Sequence, residues 1–136
     1  MKDAFTKQKE SLKAPNLKAS SISPTLVSDI RSRLSFTPDK LLSQERLSRV
    51  LNVSYRTIAR WESGTKPDQH SAIKLARLQK ALDMIGDMID REYLLDFFEQ
   101  HHPLLMGLRP IDLLDTDDGA NLLFHHLEAA QTGAFS

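Results

Sequence analysis

Two short amphipathic segments, each opened by a serine and separated by three residues, constrain this chain more than anything else in it. Ser43 is a good helix N-cap, and Gln44-Glu45-Arg46-Leu47-Ser48-Arg49-Val50-Leu51 follows with apolar residues at 47, 50 and 51, one helical face. Asn52 tolerates the left-handed conformation that ends a helix sharply. Ser54 caps again, and Tyr55-Arg56-Thr57-Ile58-Ala59-Arg60-Trp61-Glu62 runs to Ser63-Gly64, with Pro67 just beyond. Helices this short, joined this tightly, must cross steeply. That is helix-turn-helix geometry.

Helical spacing sorts the second segment into faces. Ile58 and Trp61 fall together and are expected to be buried; Tyr55, Arg56 and Arg60 look outward together, with small Ala59 between. Arginine pairs bidentately with guanine edges, and tyrosine stacks or donates to phosphate. A merely wet polar face is the bland alternative, and it explains neither the paired caps nor the basic surroundings.

The rest of the chain supports an all-α fold. Helical signals recur over residues 24–34, 71–99, 111–114 and 117–131, and no segment shows the period-two alternation of a strand. At 40% hydrophobic and 26% charged residues, the 136-residue chain has a globular composition. Residues 1–23 are the exception: rich in Lys and Ser, they read as a disordered basic tail. Cysteine is absent, which excludes disulfide frameworks, cysteine-ligated zinc and thiol nucleophiles. No apolar run approaches the roughly 20 residues of a membrane span, and no apolar core follows the N-terminal lysines as in a secretory signal, so a cytoplasmic chain is expected.

A net charge of zero conceals a division. Residues 1–80 hold sixteen Lys and Arg against seven Asp and Glu, a net of +9; residues 81–136 hold two against eleven, a net of −9. A basic half often meets a polyanion and an acidic half a basic protein, although two solvated surfaces of opposite sign fit equally well.

Leu42-Ser43-Gln44-Glu45-Arg46-Leu47-Ser48, Asn52-Val53-Ser54 and Thr57 through Gly64 together resemble the Xre family of helix-turn-helix regulators, with Asn52 in place of the usual turn glycine. The resemblance implies that Gln44 and Ser54 sit against phosphates and that Tyr55, Arg56 and Arg60 face bases, with Thr57 and Lys66 as further contacts to operator DNA. It also implies that Glu62 pairs with an arginine of the preceding helix, Arg31 or Arg33. The DNA-binding unit would span residues 24–69. A homodimer is expected, because such motifs usually read two half-sites.

In residues 70–136, apolar residues at 75, 78, 82, 85 and 89 form a continuous stripe, a core helix or a dimer seam. His102-Pro103 stops it, Pro110 restarts a short turn, and Thr116 caps a last helix with Asp117 and Asp118 in its first turn. Ala120, Leu123, Leu127 and Ala130 are its expected buried face. Asp115 through Gly119 superficially suggests a calcium loop, but its glycine is one place early and His126 stands where a glutamate should. The adjacent pairs His101-His102 and His125-His126 point to different faces and are poor chelators. No metal or cofactor is expected, and no phosphate loop, nucleophile elbow or spaced acid pair supports an enzyme.

His102 through Leu114, then Asp115-Thr116-Asp117-Asp118-Gly119-Ala120 and the closing Gly133-Ala134-Phe135, resemble the toxin-binding domain of Xre/MbcA/ParS-type antitoxins, with Met106 in place of one of two glycines and Leu108 where arginine is usual. That resemblance implies an antitoxin that neutralises a toxin of the NAD-consuming RES class, assembles with it into a toxin–antitoxin complex, and represses its own operon. The residues implied to meet the toxin are Leu104, Leu105, Gly107, Pro110, Ile111, Leu114, Gly133, Phe135 and Ser136. Phe135, so near the chain end, either folds back on its own helix or anchors the partner. The alternative function is a stand-alone repressor whose acidic half dimerises or senses a ligand.

Overall fold

The computed structural model describes residues 25–133; the basic-tail expectation for residues 1–23, the expected helix start at Pro24, and residues Ala134, Phe135 and Ser136 lie outside them. Seven α-helices and one 3-10 turn make up the described chain, and no strand occurs among its residues. Helix α1 (Thr25–Arg33) buries Leu26, Val27 and Ile30. Helices α2 (Gln44–Leu51) and α3 (Tyr55–Glu62) have the boundaries that their caps dictate. Ser43 accepts a hydrogen bond from the Arg46 N–H and Ser54 from that of Thr57, while Asn52 sits left-handed at φ 58° and ψ 47°.

Asp68 caps α4 (Gln69–Ile85) by accepting from the Ser71 N–H. The helical signal read over residues 71–99 is two helices rather than one. Gly86 stops α4 with φ 49° and ψ −120°, a conformation open to glycine and strained for other residues, and α5 (Arg91–Glu99) starts afresh after Asp90. Ile89 keeps the helical spacing yet sits in the connection. A 3-10 turn (Pro103–Leu105), the four-residue α6 (Pro110–Leu113) and α7 (Asp117–Gln131) complete the chain, with Thr116 capping α7 through the Gly119 N–H.

One apolar cluster runs through all seven helices, from Leu26, Ile30 and Leu34 through Ile58 and Trp61 to Leu78, Phe98, Leu123 and Leu127. It continues across residue 70, since Leu75, Leu78 and Leu82 of α4 belong to it. Arginines fasten the outside. Arg33 pairs with Asp83 at 2.7 Å, Arg91 donates to the Ser32 carbonyl at 2.7 Å, and Arg46 grips both carboxylate oxygens of Glu99. Both ends of α5 are thereby tied to the first two helices. On the opposite side of the sequence, Lys74 meets Asp115 at 2.8 Å, and Arg77 reaches the Leu114 carbonyl and Asp117.

Candidate nucleic-acid interface and partner surface

The α2–turn–α3 unit is rigid because its polar atoms are used locally. The Val53 N–H donates to the Ser48 carbonyl at 3.0 Å, and the Ser48 hydroxyl to the Glu45 carbonyl at 2.6 Å. Ile58 and Trp61 are buried as their spacing predicted, so the opposite face of α3 must point outward. Tyr55 is 51% exposed, and Arg56 and Arg60 are exposed beside it. Thr57 is half-buried, its hydroxyl 2.9 Å from that of Ser54. Lys66 is exposed beyond α3.

Glu62, the last residue of α3, gathers the unit. Its carboxylate accepts from Arg31 at 2.8 and 2.9 Å, from the Ser28 hydroxyl at 2.6 Å and from the Gln44 amide at 2.5 Å. Of the two candidate arginines, Arg31 is the partner. Burial pushes the Glu62 carboxyl up, but the donors Ser28, Gln44 and Arg31 outweigh it and leave the group below its ordinary value.

Cations divide cleanly between scaffold and surface. Arg31, Arg33, Arg46, Lys74 and Arg77 each hold a carboxylate, and Lys80 lies 4.4 Å over the Phe124 ring. Lys40, Arg49, Arg56, Arg60 and Lys66 have no partner among the described residues, and all five are exposed. They lie in or beside α2 and α3. Lys40 and Arg49 were not expected there; Arg49's place on the polar face of α2, opposite Leu47 and Leu51, is the signal that would have found it.

The second surface is the turn after α5. His102 and Leu108 face each other as an isolated antiparallel bridge, the Gly107 N–H returns to the His102 carbonyl at 2.9 Å, and the His101 ring meets the Gly107 carbonyl at 2.8 Å. The His102 ring lies against Phe97 at a 43° tilt, with centroids 4.9 Å apart. Leu104 is 66% and Met106 78% exposed, with Leu108 and Gly107 exposed beside them. Met106 is held left-handed at φ 61°, unusual for a residue with a side chain.

Several residues expected to meet a partner are core instead. Leu105 and Leu114 are fully buried, Ile111 nearly so, and Pro110 is buried at the start of α6. A short Pro-punctuated segment between long helices closes its end of the core, so Leu105, Pro110, Ile111, Leu113 and Leu114 turn inward. Met106 and Leu108 stand outward in their place, although the sequence marked them only as departures from a pattern. Gly133 is exposed at the end of the described chain.

This arrangement defines an all-α helix-turn-helix protein. Residues 39–78 match the helix-turn-helix family HTH_3, so the motif takes in α2, α3 and the first part of α4. Over 106 residues, 70% of this chain, it is 26% identical to a Sphingobium sp. (strain YBL2) protein described as a Prs ADP-ribosylating antitoxin, of which it covers 67%. The fold is similar to that of a chain in the crystal structure of the M. tuberculosis MbcT–MbcA toxin–antitoxin complex, with a TM-score of 0.63, 23% identity, and 83% of this chain and 96% of that one covered.

Proposed function

We propose that the chain is the antitoxin of a toxin–antitoxin pair: its helix-turn-helix binds operator DNA and represses the operon, and its acidic half neutralises a cognate protein toxin that acts on NAD. The observation that carries this reading is the extent of the likeness. The relative described as an antitoxin matches over 106 residues, far beyond the helix-turn-helix of residues 39–78, so both halves of the chain take part. Supporting the DNA arm, the five cations unpartnered among the described residues all lie in or beside α2 and α3. Supporting the protein arm, Leu104, Met106 and Leu108 form an exposed aliphatic group on an internally bonded turn, and such preorganised apolar anchors dominate protein interfaces. Phe135 and Ser136, outside the described residues, are further candidate contacts to the toxin. No enzymatic activity is proposed.

Co-expression with a candidate toxin from a neighbouring reading frame tests both arms. The chain is expected to restore growth, co-purify with the toxin and shift DNA from upstream of its own gene in gel titrations. Repression without growth rescue would replace this reading with that of a stand-alone repressor.

A further inference from the structure

The Glu62 carboxylate does more than join helices, because one of its four contacts reaches a residue of the DNA face. Gln44 is the first residue of α2, and its Nε2 donates to Glu62 Oε1 at 2.5 Å. Arg31, which neutralises that carboxylate, also donates through Nε to the Leu42 carbonyl at 2.6 Å, two residues before Gln44. The Leu42 N–H in turn donates to the Arg31 carbonyl at 3.0 Å. The backbone entering α2 and the side chain opening it are therefore held by the same ion pair. Both members of that pair are 14% exposed at their side chains.

We infer that Glu62 is a positioning residue for DNA binding, fixing the Gln44 amide at the start of α2 before DNA arrives. This deepens the operator-binding reading and rests on it. The orientation follows from donor chemistry. An ionised carboxylate only accepts, so the Gln44 NH2 must turn toward Glu62, which directs its carbonyl oxygen away and leaves one N–H for a second acceptor. A glutamine free to rotate loses that freedom on docking, at about a three- to tenfold expense in affinity. Glu62 removes the loss in advance.

Electrostatics alone predicts the opposite sign for the obvious variant. Glu62→Gln removes a negative charge and releases Arg31, so a protein gripping phosphates by charge would bind DNA more tightly. The positioning role predicts that Glu62→Gln weakens operator binding about three- to tenfold despite the added positive charge. In a Gln44→Met background the same substitution should no longer weaken binding, because the side chain it positions is gone. Ser28→Ala removes a bond of similar length from the carboxylate. It controls for loosened packing and should leave affinity within about twofold.

The assay is a fluorescence-anisotropy titration of the full chain on operator and scrambled duplexes, with each variant's folded fraction measured by circular dichroism. Should Glu62→Gln not fold, Glu62→Asp keeps the charge but withdraws the shared carboxylate oxygen by one methylene from Gln44 and Arg31 alike, and the same comparison in the Gln44→Met background applies. Unchanged or tighter binding by the Glu62 variant, undiminished weakening in the Gln44→Met background, or an equal loss in Ser28→Ala would each overturn the proposal. Wild type binding both duplexes equally would remove the operator reading, and the proposal with it.

Discussion

Leu104 and Leu105 are neighbours with opposite fates, and substituting each by alanine separates structure from recognition. Leu105 is fully buried where the 3-10 turn meets the core, whereas Leu104 is 66% exposed. Truncating a fully buried leucine removes its transfer free energy and leaves a cavity, so Leu105→Ala should cost about 3 kcal/mol. For a chain of this length that lowers Tm by roughly 10 °C. Leu104→Ala should change stability by no more than about 0.5 kcal/mol, because the atoms removed already face water. Its effect belongs to the complex, where loss of an exposed anchor should weaken toxin binding by about 1–2 kcal/mol. Met106→Gly is a third arm. It relieves the left-handed strain at φ 61° and adds unfolded-state entropy, so stability should move by less than about 1 kcal/mol while toxin affinity falls. Urea unfolding followed at 222 nm gives the stabilities, and calorimetric titration of purified toxin gives the affinities. A Leu105→Ala cost below about 1 kcal/mol, or a Leu104→Ala cost above it, refutes the assignment of inward and outward faces in this turn.

On the DNA side, Arg56→Ala and Arg60→Ala should each cost about 1–3 kcal/mol on operator DNA and relax base preference, with toxin binding intact; gel-shift titration on operator and scrambled duplexes is the check. Gly119→Ala should destabilise by about 1–3 kcal/mol in a thermal melt, although alanine is ordinarily the better helix former. A Cβ there would lie 2.4 Å from the Leu113 carbonyl oxygen and 2.9 Å from the Thr116 hydroxyl. Stability should fall on acidification in two stages. Burial lowers the His126 value below its ordinary 6.5, so protonation favours the unfolded chain as pH drops through that value. Glu62, Asp68 and Asp112 are all held below their ordinary values, so their contribution is complete above about 4.5 and is lost as pH falls further through their native values; Glu62→Gln should blunt that lower stage in urea titrations run across pH.

What the sequence made legible was what local chemistry decides. The bounds of α2, α3 and α7 follow from Ser43, Ser54 and Thr116, side chains that cap their own backbone three residues on. The break between α4 and α5 was hidden because Ile89 continues the three-and-four spacing past Gly86, and periodicity does not register a glycine that ends the helix. Inward and outward faces in residues 104–114 were hidden for a different reason. In a segment without a regular period, a leucine that plugs the core and one that waits for a partner look alike. The choice of Arg31 over Arg33 for Glu62 depends on where α4 ends, since Asp83 in its last turn claims Arg33. The Gln44–Glu62 contact joins residues eighteen apart across the helix crossing, and spacing alone does not reveal it.

The opposed charges of the two halves are in part an internal neutralisation. Asp83, Glu99, Asp115 and Asp117 of the acidic half hold Arg33, Arg46, Lys74 and Arg77 of the basic half. The scaffold thereby consumes cations outside the DNA face and leaves Lys40, Arg49, Arg56, Arg60 and Lys66 unpartnered among the described residues. A limit on the salt dependence of operator binding follows. Each phosphate neutralised contributes about 0.9 to the slope of log K against log salt, so these five cations support at most about 4.5 per protomer. Lys2, Lys7, Lys9, Lys13 and Lys18, in the segment ahead of α1, are expected to add to that slope without reading sequence. Deleting residues 1–20 should therefore bring the slope to about 4.5 per protomer or below and leave operator preference over scrambled DNA nearly unchanged. Arg33→Gln should not alter the slope, because that charge is already spent on Asp83. A slope well above the limit after the deletion, or a fall in slope with Arg33→Gln, would show that the cations tied to carboxylates also reach the DNA.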